Sequence, residues 1–264
     1  MNPLLIINNL TVEFHLPMQV IKPISGVSFS VGKGEVLVLA GESGSGKSVT
    51  ALSITGILPS YAKIISGEVI FKGTNVLSLD EKSLNRIRGK EIAYIFQEPS
   101  SALNPLYTIG DQIAETIRVH QGKNVRQSLQ EAEKLLKDVK ISDPRRVLRS
   151  YPHQLSGGMN QRVFIAMSLA GNPELLIADE PTTSLDVTIE YEILKLLMGL
   201  RREMDFSLLF ITHNLSIAHR IADRIAIMYK GGIVEEGNTG RIFSDPGHFH
   251  TKELIAAYEK MGKI

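Results

Sequence analysis

The chain has 264 residues, 43% of them hydrophobic and 22% charged, with a net charge of +1. That length can bury a substantial core, and the charge balance gives no global basic field of the kind that draws nucleic acid. With no cysteine, a disulfide framework, a zinc–cysteine site, a cysteine nucleophile and a cysteine-ligated iron–sulfur cluster are all excluded.

The first residues, Met1 to Asn9, lack a basic stretch, and their apolar run is short for a leader peptide. Apolar runs such as Val163 to Gly171 fall well below the roughly 18–20 residues that span a bilayer. A soluble, cytoplasmic chain is therefore expected, one that meets a membrane only through other proteins.

Taken in chain order, the first third alternates short β-type runs with turn residues: Thr11–Phe14, Gly26–Val31, Glu35–Ala40 and Glu68–Lys72. A further strand covers Ile92 to Phe96. The middle is helix-rich, with helices predicted over Ile109–His120, Val125–Val139, Pro144–Arg149 and Ser156–Ala170. The last third returns to α/β alternation. Leu175–Ala178, Ser207–Ile211 and Ile225–Tyr229 are continuous apolar runs, as expected of strands buried on both faces. Between them, Val187–Glu203 places Ile189, Ile193, Leu196, Leu197 and Leu200 on one helical face. The order implies an α/β fold: a parallel core sheet, an antiparallel β region and an inserted helical subdomain. Residues 1–96 and 172–264 form the expected core, and 97–171 the insertion, within one domain.

Gly41-Glu42-Ser43-Gly44-Ser45-Gly46-Lys47-Ser48 fits G-x-x-x-x-G-K-[ST] at every fixed position, after a predicted strand and before a predicted helix. Gly41, Gly44 and Gly46 let backbone N–H groups turn toward a polyanion, with Ser43, Ser45 and Val49 beside them. Lys47 can reach the β- and γ-phosphates of a nucleotide, and the Ser48 hydroxyl can ligate Mg²⁺. Leu175 to Glu180 is a buried strand that ends in two carboxylates. Asp179 would face Mg²⁺, and Glu180 would orient and deprotonate an attacking water.

Leu155-Ser156-Gly157-Gly158-Met159-Asn160-Gln161-Arg162 resembles the signature sequence of ABC ATPases. Further elements of that family follow its order. Gln97 matches the Q-loop, a ligand or sensor of Mg²⁺ and γ-phosphate. Ser184-Leu185-Asp186 matches the D-loop, His213 the switch histidine, and Phe14 the aromatic that stacks on adenine. The resemblance covers essentially the whole chain and implies a phosphate-loop ABC ATPase core using ATP and Mg²⁺. Ser156 is a good N-cap, and Gly157 and Gly158 permit close approach, so this helix start can face an anion. In the family it closes over the γ-phosphate held by the opposing subunit.

The resemblance therefore implies a second ATPase subunit, a heterodimer being expected over a homodimer. It also implies two transmembrane permease subunits and, indirectly, an extracytoplasmic solute-binding protein, with the chain on the cytoplasmic face of the membrane and no nucleic acid. The segments Phe96 to Pro105, Tyr151 to Met159 and Ala178 to Asp186 look like those of peptide and nickel importers. Two departures stand out: Asn160 where arginine is commoner, and Asn214 where aspartate often follows the histidine. The absence of a long cysteine-bearing tail leans slightly toward the nickel-type branch. The competing classes are an ABC ATPase acting on DNA or ribosomes and a regulatory nucleotide-binding protein without turnover. The spacing of about a hundred residues between phosphate loop and signature, without sustained heptads, argues against a coiled-coil DNA-repair relative. Intact Lys47, Asp179, Glu180 and His213 argue against the regulator.

Among other residues, His153 reads as structural, and Arg145, Arg146 and Arg149 as a solvated helix face. Met159 and Met167 read as packing residues. His248 and His250 are expected in a loop, at a spacing that does not suggest a metal site.

Overall fold

Apolar and polar residues alternate along parts of Leu5–Leu16 and Gln19–Val31, and that pattern gives a sheet with one buried face. A computed structural model describes residues 3–98, 102–182 and 186–261. In chain order its strands are β1 (Leu5–Leu16), β2 (Gln19–Val31), β3 (Val36–Ala40), β4 (Ala62–Phe71), β5 (Thr74–Asn75), β6 (Ile92–Ile95), β7 (Leu175–Asp179), β8 (Ser207–Thr212), β9 (Arg224–Tyr229) and β10 (Gly232–Asn238). The helices are α1 (Lys47–Thr55), α2 (Glu81–Ile87), α3 (Ile109–Gln121), α4 (Val125–Asp138), α5 (Pro144–Leu148), α6 (Gly157–Leu169), α7 (Val187–Met204), α8 (Leu215–Ile221), α9 (Thr239–Ser244) and α10 (Phe249–Met261). Two units are distinguishable, Met1–Leu84 with Ser207–Ile264, and Asn85–Phe206.

The first unit holds a four-stranded sheet in the order β2-β1-β4-β5, with β1 antiparallel to both β2 and β4. Leu5, Ile7, Leu10 and Val12 of β1 are buried, as are Ile24, Val27, Phe29 and Val31 of β2. Both strands are longer than the predicted Thr11–Phe14 and Gly26–Val31. Irregular pairing explains the difference. The register shifts between Ile7 and Leu10 and again between Leu10 and Val12, which breaks the two-residue alternation that marks a strand in sequence. At the shift the Asn9 N–H donates to Ser28 Oγ at 2.7 Å, and the Gly26 N–H donates to Thr11 Oγ1 at 3.0 Å. Side chains thus replace the lost ladder partners.

The same unit contains a second set of strands, buried along β3, β8 and most of β9 and half-exposed along β10. β3 pairs in parallel with β8 on one side and β9 on the other, and β10 closes antiparallel on β9. Val36–Ala40, Leu208–Ile211 and Ile225–Met228 are wholly inaccessible. Each valine, leucine, isoleucine, phenylalanine or methionine among them contributes about 1.5–3 kcal/mol of hydrophobic stabilisation. Polar groups fix where β3 starts: the Val36 N–H donates to Asp223 Oδ2 at 2.8 Å, and Arg224 pairs with Glu35 at 2.7 Å and with Glu236.

In the second unit β6 and β7 pair in parallel, from Ile92 opposite Leu175 to Ile95 opposite Ala178. Around them the helices obey their caps. Thr108 Oγ1 accepts from the Asp111 N–H and Gly122 closes the C-terminus of α3. Asn124 and Gln127 form a reciprocal capping box on α4, and Asp143 with Pro144 starts α5. The predicted apolar stripe of α7 is buried at Ile193, Leu196, Leu197 and Leu200, with Ile189 half-buried. No helix among the described residues is long and apolar enough to cross a membrane.

One expectation is corrected. His250 lies in the first turn of α10 rather than in a loop, because the chain turns helical at Phe249. Its ring is buried and stacks on Tyr229 at 3.9 Å. The described residues contain no metal-type cluster.

Candidate functional site

In the first unit the phosphate loop leaves the C-terminal end of β3 and turns directly into α1. Ala40 sits in register with Thr212 of β8. Gly41 and His213 are therefore the residues that leave two neighbouring parallel strands at the same edge, the usual place for a ligand crevice. Two of the loop glycines, Gly41 and Gly46, are required by their surroundings. A Cβ on Gly41 would lie 2.2 Å from the Met228 carbonyl oxygen. Gly46, with φ of 108°, would bring one to 2.5 Å from the Pro23 carbonyl oxygen.

Helix α1 starts at Gly46 without a side-chain cap and without an acid in its first turn. Gly46 has no side chain with which to cap the helix, and the helix dipole makes that end positive. Lys47 is buried, and its ammonium donates to the carbonyls of Gly41 and Glu42 at 2.9 and 2.8 Å. Ser45 Oγ is buried and lacks a hydrogen-bond partner. Ser43, Gly44 and Ser48 are exposed, and Val49 is half-buried. A loop of inward-turned backbone, one buried cation and an unspent hydroxyl suits a polyphosphate. Phe14, on β1, meets Tyr61 edge to face at 5.2 Å. His213 is exposed, and Asn214 after it caps α8 through the Ser216 N–H at 2.9 Å. An asparagine here does the same capping work as an aspartate.

In the second unit Ile95 lies opposite Ala178, so Gln97 and the acidic pair follow the ends of two paired strands. Asp179 is 7% exposed and accepts a hydrogen bond from the Tyr94 hydroxyl at 2.8 Å. Partial burial pushes the Tyr94 phenol pKa well up, and the adjacent Asp179 charge and hydrogen bond push it further the same way. Glu180 has φ of 45°, a left-handed backbone that is uncommon outside glycine. Its carboxylate lies 3.4 Å from Gln97 Nε2. Gln97 and Glu180, predicted separately, are thus brought together. Tyr94 was missed in the sequence reading. The available signal was a hydroxyl-bearing aromatic inside the apolar run Ile92-Ala93-Tyr94-Ile95, since a Tyr O–H that leaves water normally finds a partner.

Ser156 caps α6, with its Oγ accepting from the Met159 N–H at 3.4 Å. Ser156 and Gly157 are exposed and Gly158 is half-buried. Asn160, one of the departures, is buried and donates to the Pro152 carbonyl at 3.1 Å, tying the turn before the signature to its helix. Asp186 is exposed and caps α7 through the Ile189 N–H at 3.1 Å. The other two residues of the predicted D-loop, Ser184 and Leu185, lie outside the described residues, as do Pro99 to Ser101 of the Q-loop segment. His153 is exposed and stacks on Tyr151, with ring centroids 5.7 Å apart. The side chains of Arg145 and Arg146 are 82% and 63% exposed, a solvated face as expected. Met159 and Met167 are half-buried.

Comparison with known proteins finds a match to the family described as ABC transporter over residues 24–183. The chain is 48% identical over 259 residues to the peptidoglycan transport ATP-binding protein YejF of Agrobacterium fabrum, covering 98% of this chain and 47% of that protein. It is 47% identical over 253 residues to the probable peptide ABC transporter ATP-binding protein y4tR of Sinorhizobium fredii, covering 96% and 76%. It is 46% identical over 264 residues to the glutathione import ATP-binding protein GsiA of Salmonella paratyphi A, covering 98% and 42%. The chain thus spans less than half the length of YejF and GsiA. Among solved structures it is similar to the ATP-binding cassette MJ0796, described as a dimer in a post-hydrolysis state bound to ADP and Pi. The TM-score is 0.79 at 29% identity, covering 89% of this chain and 98% of that one. A further likeness, to cbiO1 from Clostridium perfringens, has a TM-score of 0.79 at 23% identity, covers 100% and 98%, and bears on the fold alone.

Proposed function

The chain belongs to the ABC transporter family, and from that premise we propose that it binds and hydrolyses ATP as one of two ATPase subunits that power an importer. The observation that carries this reading is the start of α1: a loop with no room for a Cβ at Gly41 or Gly46, a helix start with no side-chain cap from Gly46, and a buried Lys47. The residues take these roles. Backbone N–H groups from Gly41 to Ser48, with Lys47, hold the β- and γ-phosphates, and Phe14 stacks on the adenine. Ser43, Ser45 and Val49 line the loop. Glu180 orients the attacking water and takes its proton. Gln97 and His213 sense the γ-phosphate. The capped start of α6, Ser156-Gly157-Gly158, faces the nucleotide of the opposing subunit, and Asp186 lies at that same subunit face.

Ser48, Gln97 and Asp179 would hold Mg²⁺: their donors are all oxygens, the ligand type this ion prefers. When bound, the ion screens the negative charge of the phosphates as it moves toward the leaving group. The proposed assembly comprises a second, different ATPase subunit, two permease subunits and an extracytoplasmic solute-binding protein, with this chain on the cytoplasmic face and residues 97–171 as the helical insertion. The relatives' names favour a peptide-class solute, since they are named for peptidoglycan, peptide and glutathione transport. The lean toward nickel has no counterpart in those names.

The test is Glu180→Gln. Loss of a general base costs about 10²–10⁴-fold in turnover. ATP hydrolysis should fall by that much, while ATP affinity measured by calorimetry stays near wild type. Wild-type turnover in this variant would remove Glu180 from the mechanism.

A further inference from the structure

Tyr94 of β6 and Gln97, two residues past its end, each send a donor to one of the adjacent carboxylates Asp179 and Glu180. Gln97 reaches Glu180 at 3.4 Å, as the Q-loop reading anticipated. The other donor, the Tyr94 hydroxyl at 2.8 Å from Asp179 Oδ2, has no counterpart in the roles assigned above. Asp179 is 7% exposed. A carboxylate held so far out of water depends on protein donors for its orientation as well as its stability. A phenol suits that task. It is neutral, so it fixes one carboxylate oxygen without cancelling the negative charge, as a lysine or arginine would. It is also long enough. Tyr94 lies opposite Ile177 in the ladder, two residues short of Asp179, and its ring carries the hydroxyl along the strand direction to the strand end.

The ring itself is held in place. Phe96 packs against it with centroids 4.5 Å apart, and the Tyr94 carbonyl accepts from Ser168 Oγ of α6 at 3.3 Å. A phenylalanine would keep the packing and lose only the hydrogen bond.

We propose that Tyr94 is a positioning residue for Asp179: its hydroxyl sets the orientation in which that carboxylate meets the divalent cation of the bound nucleotide. The proposal rests on the reading of Asp179 as a Mg²⁺ residue. Residues that orient a metal-binding side chain typically contribute about 10–100-fold to metal affinity, and a single neutral donor belongs at the lower end of that range.

The experiment uses the full chain, a non-hydrolysable ATP analogue and Mn²⁺ as the probe ion. Free Mn²⁺ is counted by electron paramagnetic resonance, and analogue binding without metal is followed by calorimetry. Tyr94→Phe should weaken Mn²⁺ binding to the analogue complex about tenfold. It should leave metal-free analogue affinity and the thermal unfolding midpoint near wild type. Asp179→Asn should weaken Mn²⁺ binding further, and Tyr94→Phe added to Asp179→Asn should cost nothing more, because the two act as one unit. Wild-type Mn²⁺ affinity in Tyr94→Phe, alongside a loss in Asp179→Asn, overturns the positioning role while sparing the assignment of Asp179. Equal losses of metal-free and metal-supported binding in Tyr94→Phe also overturn it, because they mark a general structural role. Wild-type Mn²⁺ affinity in Asp179→Asn removes the metal reading of Asp179 and the proposal with it.

Discussion

Two glycine-flanked helix starts are proposed to face phosphate, and they are built differently. Helix α1 begins at Gly46 with no side-chain cap, while α6 begins at Ser156, whose hydroxyl accepts from the Met159 N–H at 3.4 Å. The glycines of the first are locked in by backbone: a Cβ on Gly46 would lie 2.5 Å from the Pro23 carbonyl oxygen. At the second, a Cβ on Gly158 would meet only the Ile189 side chain, Cγ2 at 3.2 Å and Cδ1 at 3.7 Å. The phosphate loop thus needs glycine at Gly41 and Gly46 for its backbone to close without strain. At the signature the contact is with a side chain rather than backbone, and under the proposed reading glycine there leaves room for a nucleotide held by the opposing subunit. A helix cap and an anion site draw on the same free N–H groups, and the two starts divide those groups in different ways.

Substitutions at the three positions sharpen this contrast, beginning with the largest effect. Gly46→Ala forces a left-handed backbone on alanine and drives its Cβ into Pro23. The strain alone is about 1–3 kcal/mol, so both the chemical unfolding midpoint and ATP affinity should fall. Retention of both would show that the loop relaxes freely, and the contrast would collapse. Gly158→Ala should leave unfolding within about 1 kcal/mol of wild type, because the gain in helix propensity offsets the tight methyl contact. ATP turnover in the assembled transporter should nevertheless drop by about tenfold or more, a displaced donor at a developing charge being worth at least that. Normal turnover would remove the signature from the site. Ser156→Ala is the smallest change. It removes one cap and should lower the stability of the chain by about 1 kcal/mol, read from urea unfolding, with metal-free nucleotide affinity at Lys47 unchanged.

The two regions also differ in how much of them could be read from sequence. Gly41 to Ser48 was legible because a polyanion cradle dictates residue type nearly position by position. Asp179 and Glu180 were legible only alongside the phosphate loop, since two acids after an apolar strand would by themselves read as surface residues. The helices from Ile109 to Leu169 were bracketed to within a residue or two by their caps: Thr108, Asn124, Asp143 and Ser156. The antiparallel sheet was read too short, since its shifted register at Asn9 and Gly26 erases the alternation a reader relies on. α2, β5, β10, α8 and α9 are short or half-exposed and carry little periodic signal. Tyr94 escaped because its hydrogen-bond partner lies 85 positions away, and a tyrosine in an apolar run signals a partner without saying which. The position of His250 against Tyr229 was hidden for the same reason.

The central claim is that this chain contributes its signature to a nucleotide bound by another subunit. The most direct measurement is sedimentation of the Glu180→Gln chain together with the second ATPase subunit with which it purifies, with and without ATP. ATP should drive a one-to-one assembly. Ser156→Arg in this chain should abolish that assembly while ATP binding at its own Lys47 loop persists. If the Ser156→Arg chain assembles on ATP as its parent does, the signature does not act across the interface, and the account of the paired site is wrong.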